Sequence, residues 1–341
     1  MRTRYILTKF FLFLLICSPL LGMAQHSPSI FDKLTVSEGE KMTLELDLTT
    51  ITAQKKSNDY FPAALIGSDG VAYKVEVRPR GKYRRKNAYY PPLKLKFKKK
   101  ELVQAGFDTL NEIKLVLPCF DSKLGEELVI REYLAYRIFE HLSPASVRAR
   151  LIRLTLKDTH VEKSKRTMYA ILVEDQEETC ARMGGKEVED YGIPADSLNA
   201  NQTALMIIFQ YMIGNTDWEI SMLRNVRLIR TSASSKILAM PYDFDFSGLV
   251  SAPYSSPSSD TGLKTVRDRF LMSNGVDREA LKRALESIKK AKPAIYDICR
   301  HKNLSRDAIS DMLHFLDTFF DSIDNNTEVP QMMKGPGMDK G

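Results

Sequence analysis

Cysteine, histidine and tryptophan are scarce in this chain of 341 residues, which holds four, five and one of them. Cys17 lies in an apolar N-terminal run, and Cys119, Cys180 and Cys299 show no C-x-x-C spacing. That pattern supports neither a zinc ribbon nor a disulfide framework, leaving one bridge at most or three small buried apolar residues. The histidines, at positions 26, 141, 160, 301 and 314, are nowhere paired at metal-ligand spacing, so zinc hydrolysis has no support. There is no G-x-S-x-G elbow and no G-x-x-x-x-G-K-[ST] loop, which removes the usual serine hydrolases and P-loop enzymes. Past the first 25 residues no apolar run is long enough to cross a bilayer.

The opening residues carry Arg2, Arg4 and Lys9 before an apolar run, with small Gly22 and Ala24 near its end. Residues 1–24 therefore read as a cleaved secretory signal, and the expected location is the periplasm or cell envelope, or outside the cell. Cys17 lacks the small residues that precede a lipid-modified cysteine, which disfavours an anchored form. Setting aside the leader's three charges lowers the formal net charge from +7 to +4, too mild an excess to imply nucleic acid. The remaining length of about 315 residues suits two lobes sharing a cleft. The expected organisation is a strand-rich region with one packing helix over 25–175, a helical region over 176–324, and a polar tail over 325–341 that reads as disordered.

Strand signals come first. MTLELDLTTI alternates, PAALIG is a buried run, YKVEVRP alternates again, and PPLKLKF sets Leu93, Leu95 and Phe97 on one face with Lys94 and Lys96 on the other. Residues 74–100 hold twelve Lys or Arg against the single acid Glu76, with RPRGKYRRK turning around Gly81. This is either a solvated basic edge or an anion-binding loop, since guanidiniums and amides beside a glycine suit phosphate oxygens. Tyr83, Tyr89 and Tyr90 within it are accounted for by strand packing. After NEIKLVLP a helix is expected from about Leu124 to Leu142, with Leu128, Ile130, Tyr133, Leu134, Ile138 and Phe139 as its apolar stripe. A strand lysine reaching a cleft needs a carboxylate from such a helix, and Glu132, amid apolar neighbours, is the best candidate.

VRARLIRLTLK and TMYAILVED read as two further strands, QEETCARMGG and TALMIIFQYMIG as helices, and RNVRLIR and KILAMPYD as a strand pair. Helical periodicity marks 262–273, 276–300 and 305–323, with Pro293 as a kink or break. The chemistry gathers between Gly214 and Gly248, where GNTDW and PYDFDFSG bracket the strand pair. Asp217, Asp243 and Asp245, with Asn225 at the start of the intervening strand, make an all-oxygen set that favours magnesium or manganese over zinc. Carboxylates this close repel one another unless a cation or proton intervenes. Turn and cap chemistry is the competing account of the same residues.

Together, RPRGKYRRK followed by PPLKLKF, the REYLAYRIFEHL helix, the YAILVED strand, and GNTDW with RNVRL and PYDFDFSG resemble the spore-coat kinase H (CotH-like) family of secreted atypical kinases. The resemblance spans most of the chain after the leader. It implies an α+β, two-lobed protein-kinase-like fold with ATP and Mg or Mn between the lobes. By the same resemblance Asp217 takes the place of the catalytic base, while Asn225 and Asp243 hold metal, with Asp245 where a DFG glycine would stand. Lys94, with Lys96 as the less favoured choice, holds the nucleotide phosphates and pairs with Glu132, and Arg80 and Arg84 add phosphate contacts. The sequence lacks a G-x-G-x-x-G loop and an H-R-D triplet, and Asp217 to Asn225 is a longer step than in ordinary kinases. The expected function is phosphoryl transfer from a nucleotide to a protein or envelope-glycan acceptor. The alternatives are a non-catalytic envelope module with a structural cation and, more weakly, a metal-dependent phosphodiesterase.

Overall fold

Strand alternation dominates the first half of the molecule, and in the computed structural model, which describes residues 27–273 and 275–324, it closes a barrel. The leader expected over 1–24 and the tail expected over 325–341 lie outside the described residues. A short helix α1 (Ile30–Leu34) precedes β1 (Glu40–Leu46), whose Met42, Leu44 and Leu46 point inward. The strand expected to continue through Leu48 and Ile51 turns instead into α2 (Leu48–Ala53). Asp47 is the reason: its carboxylate accepts from the backbone N–H of Thr50 at 2.8 Å and starts a helix despite the β-branched run.

The chain then runs through β2 (Phe61–Ile66), β3 (Ala72–Pro79), α3 (Tyr83–Asn87), β4 (Leu93–Phe97), α4 (Lys99–Gln104) and β5 (Glu112–Val116). Next come α5 (Lys123–Leu142), β6 (Ala149–Asp158) and β7 (Lys165–Glu174). The barrel order is β1-β2-β3-β4-β5-β7-β6, and the parallel pairing of β1 with β6 closes it. All other neighbours are antiparallel. Leu93, Leu95 and Phe97 lie on the inner face of β4, packed with Val77, Ile113, Leu115, Leu154 and Leu172. Burying each such side chain contributes about 1.5–3 kcal/mol, which fills the barrel as a core rather than a channel.

Ser122 caps α5 by accepting from Gly125 N–H at 3.2 Å, and the helix lies against β6 and β7. The remaining elements are α6 (Gln176–Arg182), the two-residue β8 (Lys186–Glu187), α7 (Ala200–Met212), β9 (Val226–Arg230), β10 (Leu238–Pro241), α8 (Arg278–Cys299) and α9 (Arg306–Asp324). The protein is thus α+β, with a seven-stranded mixed barrel first and mainly helices after it.

Two further expectations fail here. Residues 262–273 form no helix: Gly262 sits at φ +68°, and Arg269 reaches away to the carbonyls of Met212 at 3.1 Å and Phe315 at 2.6 Å. Pro293 does not break the helix containing it, because α8 continues through it with Leu281, Ala284, Leu285, Ile288 and Ile295 all buried. Packing of that face outweighs the single hydrogen bond a proline removes. Cys119 and Cys299 are buried free thiols and Cys180 is a half-buried one. Among the described residues no helix is long and apolar enough to cross a membrane.

Candidate functional site

Two glycines bring the acidic loops together. Gly214 follows α7 at φ +64°, and its carbonyl accepts from Gly248 N–H at 3.1 Å, while Leu249 N–H donates to Ile213 at 3.0 Å. A Cβ on Gly248 would lie 2.3 Å from the Val266 carbonyl oxygen, so the approach needs glycine. On one side, Asn215 accepts from Asp217 N–H at 3.0 Å and its own amide donates to Gln210 at 3.0 Å, fixing the GNTDW turn. On the other, β9 and β10 pair with Val226 opposite Pro241, and Tyr242 N–H donates to the Asn225 carbonyl at 3.0 Å, so Asn225 and Asp243 both stand at this end of the strand pair. Both residues sit in the left-handed region, Asn225 at φ +53° and Asp243 at φ +64°. Such strain in non-glycine residues persists only where surroundings hold it. Here Asp243 N–H donates to the Tyr136 hydroxyl at 2.9 Å, and the Asn225 amide donates to both the carbonyl (2.7 Å) and the carboxylate (3.0 Å) of Asp217.

Asp217, Asn225, Asp243, Asp245, Arg80 and Arg84 all line one cleft of about 730 Å³ between the basic β3–β4 loop and the acidic loops. Glu132 joins them from α5. Its carboxylate, with those of Asp243 and Asp245, presents three oxygens within 4.8 Å of one another, close enough for a single cation. The Arg84 guanidinium already lies among them. It donates to Glu132 at 2.8 and 3.1 Å and to Asp243 at 3.0 Å, and its Nε is 3.1 Å from Asp245.

Burial opposes the charge on Arg84, but Asp245 and Glu132 more than offset it and keep the guanidinium protonated. Burial raises the Glu132 pKa, with Arg84 pulling the other way. Asp245 is pushed up to about 8 by burial, against the pull of Arg84 and with a further push from Asp243. Its other partner is the Tyr254 hydroxyl, which donates at 3.1 Å. Asp217 is raised by burial and then by the neighbouring Asp243 charge. A carboxylate so raised is a better proton acceptor than a free one. The donor set is all oxygen and suits magnesium or manganese.

Lys94 does not pair with Glu132. Along β4 it stands opposite Lys114 on β5, and from there it meets Glu112 and lies 3.7 Å from Asp175 at the end of β7. Glu132 faces the β3–β4 loop instead, which is why Arg84 takes it. Lys96 lies over the Tyr60 ring at 5.1 Å and does not line the cleft. The Asn225 side-chain N–H₂ donates to Asp217, and Glu132, expected as the partner of Lys94, instead joins Asp243 and Asp245 in the carboxylate group.

Sequence reasoning missed a buried charged cluster beside the cleft. Lys114 is 3.7 Å from Asp175 and 5.5 Å from the centre of the Tyr242 ring, which Arg227 also covers at 5.3 Å. Burial and then Arg227 push the Lys114 amine down to about 7. Burial works against the Asp175 carboxylate, yet Lys114 and Lys94 hold its pKa below the usual range. Tyr136 was also missed, although its spacing of four from Glu132 put it on the same helix face. Compared with known proteins, the chain matches no family model, and no curated protein shows significant similarity to it.

Proposed function

We propose that this protein is an exported atypical kinase, similar to the spore-coat kinase H family, that transfers a phosphoryl group from ATP to a protein or envelope-glycan hydroxyl with magnesium or manganese. The observation that carries this reading is the convergence of Glu132, Asp243 and Asp245 on one side of a cleft that Asp217 and a basic loop also line. Element order supports it as well. The β3–β4 hairpin with its basic loop, β5 leading into α5 with the buried Glu132, and β6 and β7 before the helical region are compatible with a strand-rich lobe followed by a helical one.

In this reading Arg80 and Arg84 bind the donor phosphates, and Asp243 and Asp245, with Glu132 behind them, hold the metal. A divalent cation there neutralises charge on the transferred group. Asp217, oriented by Asn225, takes the proton of the acceptor hydroxyl as its oxygen bonds to the terminal phosphorus. The bond from that phosphorus to the bridging oxygen breaks, and ADP leaves with the electron pair. Lys94 and Lys114 lie beside Asp175 rather than on the cleft lining and are not assigned to the phosphates.

One observation favours a second reading. Arg84 already supplies a positive charge to the three carboxylates, as expected of a non-catalytic kinase-like module that uses the same scaffold for binding or assembly. Calorimetric titration separates the two. The kinase reading expects saturable binding of a non-hydrolysable ATP analogue that requires Mg²⁺ and falls at least about tenfold in Asp243→Asn, since one charged ligand contact is lost. Binding of divalent metal with no nucleotide dependence would favour the module.

A further inference from the structure

The Arg84 fork occupies the space that a cation on Glu132, Asp243 and Asp245 must enter. Its nitrogens lie 2.8 to 3.1 Å from oxygens of all three carboxylates, and the guanidinium is itself buried, with 7% of the side chain exposed. Magnesium sits about 2.1 Å from its oxygens, so an ion on the same atoms would stand almost against the guanidinium nitrogens. Two cations at that separation in a partly dry site repel strongly.

We infer that Arg84 is an internal counter-ion that competes with the divalent cation, and that cation binding drives its side chain off Asp243 and Asp245. The charges favour such an exchange. Three carboxyl groups share one guanidinium, which cannot pair all of them in ionised form, and a divalent ion would allow that better than an arginine does. The segment bearing Arg84 is short and has holds of its own besides Arg84, with Tyr83 stacked on Tyr254 at 5.4 Å, so the side chain can leave without the segment leaving. α3 has only five residues, no side chain caps its start at Lys82, and Gly81 just before it turns at φ +85° in open space. Its far side stays anchored, because Arg85 donates to the carbonyl of Ser57 at 2.6 Å and to Asn58 at 3.1 Å. A displaced guanidinium remains in the cleft and needs a new anion, which donor phosphates supply. Loading of cation and of phosphate are therefore mutually favourable, because each alone leaves one buried charge unpaired.

The inference rests on the proposed reading in placing the cation at these carboxylates, but it is tested without nucleotide. Free Mn²⁺ is counted by electron paramagnetic resonance in titrations of the whole chain after leader removal. Arg84→Gln, which keeps hydrogen-bonding capacity and loses the charge, is expected to bind one Mn²⁺ at least about tenfold more tightly than wild type. Asp243→Asn added to it should abolish the gain. Equal Mn²⁺ affinity in wild type and Arg84→Gln overturns the inference, as does a gain that survives Asp243→Asn. Should Arg84→Gln not fold on its own, folding restored by Mn²⁺ supports the exchange. If it folds under neither condition, Arg84→Met, which also removes the charge, decides: tighter Mn²⁺ binding than wild type supports the competition, and unchanged binding overturns it. Failure of phosphoryl transfer with the Mn²⁺ result intact would refute the kinase reading alone.

Discussion

Lys114 carries its amine into a buried position among Arg227, Lys94 and Arg80, and its pKa falls from 10.5 to about 7. A base whose folded-state pKa lies below its unfolded value contributes stability that is full above pH 10.5 and is lost as pH falls through about 7. Lys114→Met removes that titration while keeping the stem. Urea melts should show the variant gaining on wild type as pH is lowered from 10 to 7, by on the order of 1 kcal/mol per pH unit. A difference that does not change with pH would contradict the burial argument. This residue also marks what sequence could not disclose. NEIKLVLP read correctly as a strand because its alternation is local, but the partner of Lys114 is Asp175, sixty-one positions on, and no spacing rule joins them. The same holds for Arg84 and Glu132. Both residues stand out in the sequence, but a strand lysine is the partner that sequence suggests for Glu132, whereas the long-range fold brings Arg84 of α3 to it.

Elements were legible wherever period and cap agreed. The apolar stripe of α5, and the alternation of Leu93, Leu95 and Phe97, gave a helix and a strand close to those observed, and Ser122 caps that helix in the structure. Where a single polar side chain overrides the pattern, as Asp47 does at α2, alternation misleads. Residues 262–273 show the converse case, since their charged residues are used to clamp neighbours: Arg267 meets Asp311 at 3.1 Å, and Asp311 also holds Arg131 of α5 at 2.7 Å. That clamp lies behind the Gly214–Gly248 contact. Gly248→Ala forces a Cβ against the Val266 carbonyl and Phe315, so it should destabilise the protein by about 2–4 kcal/mol, with a matching fall in Tm. Gly262→Ala, at φ +68° but with open space around it, should cost only about 1 kcal/mol from backbone strain. Equal costs at the two sites would show that the apposition of the acidic loops is not held by close contact.

At the scale of the whole molecule, a basic loop from the barrel meets acidic loops from the helical region across one cleft, with α5 joining them. Its Glu132 binds Arg84 of the first region, and its Tyr136 accepts from Asp243 of the second. The sequence indicated both charged partners, because the run from Lys74 to Lys100 and the DFD triplet are strongly biased in composition. Their meeting depends on barrel closure and on the Gly214–Gly248 approach, which are long-range. Phosphoryl transfer in the cleft is tested most directly by incubating residues 25–341 with γ-labelled ATP, Mg²⁺ or Mn²⁺, and envelope material. Label should pass to protein or glycan in wild type and fall by about 10²-fold or more in both Asp217→Asn and Asp243→Asn. Transfer that persists equally in those two variants, or no transfer from wild type under saturating nucleotide and metal, would contradict it.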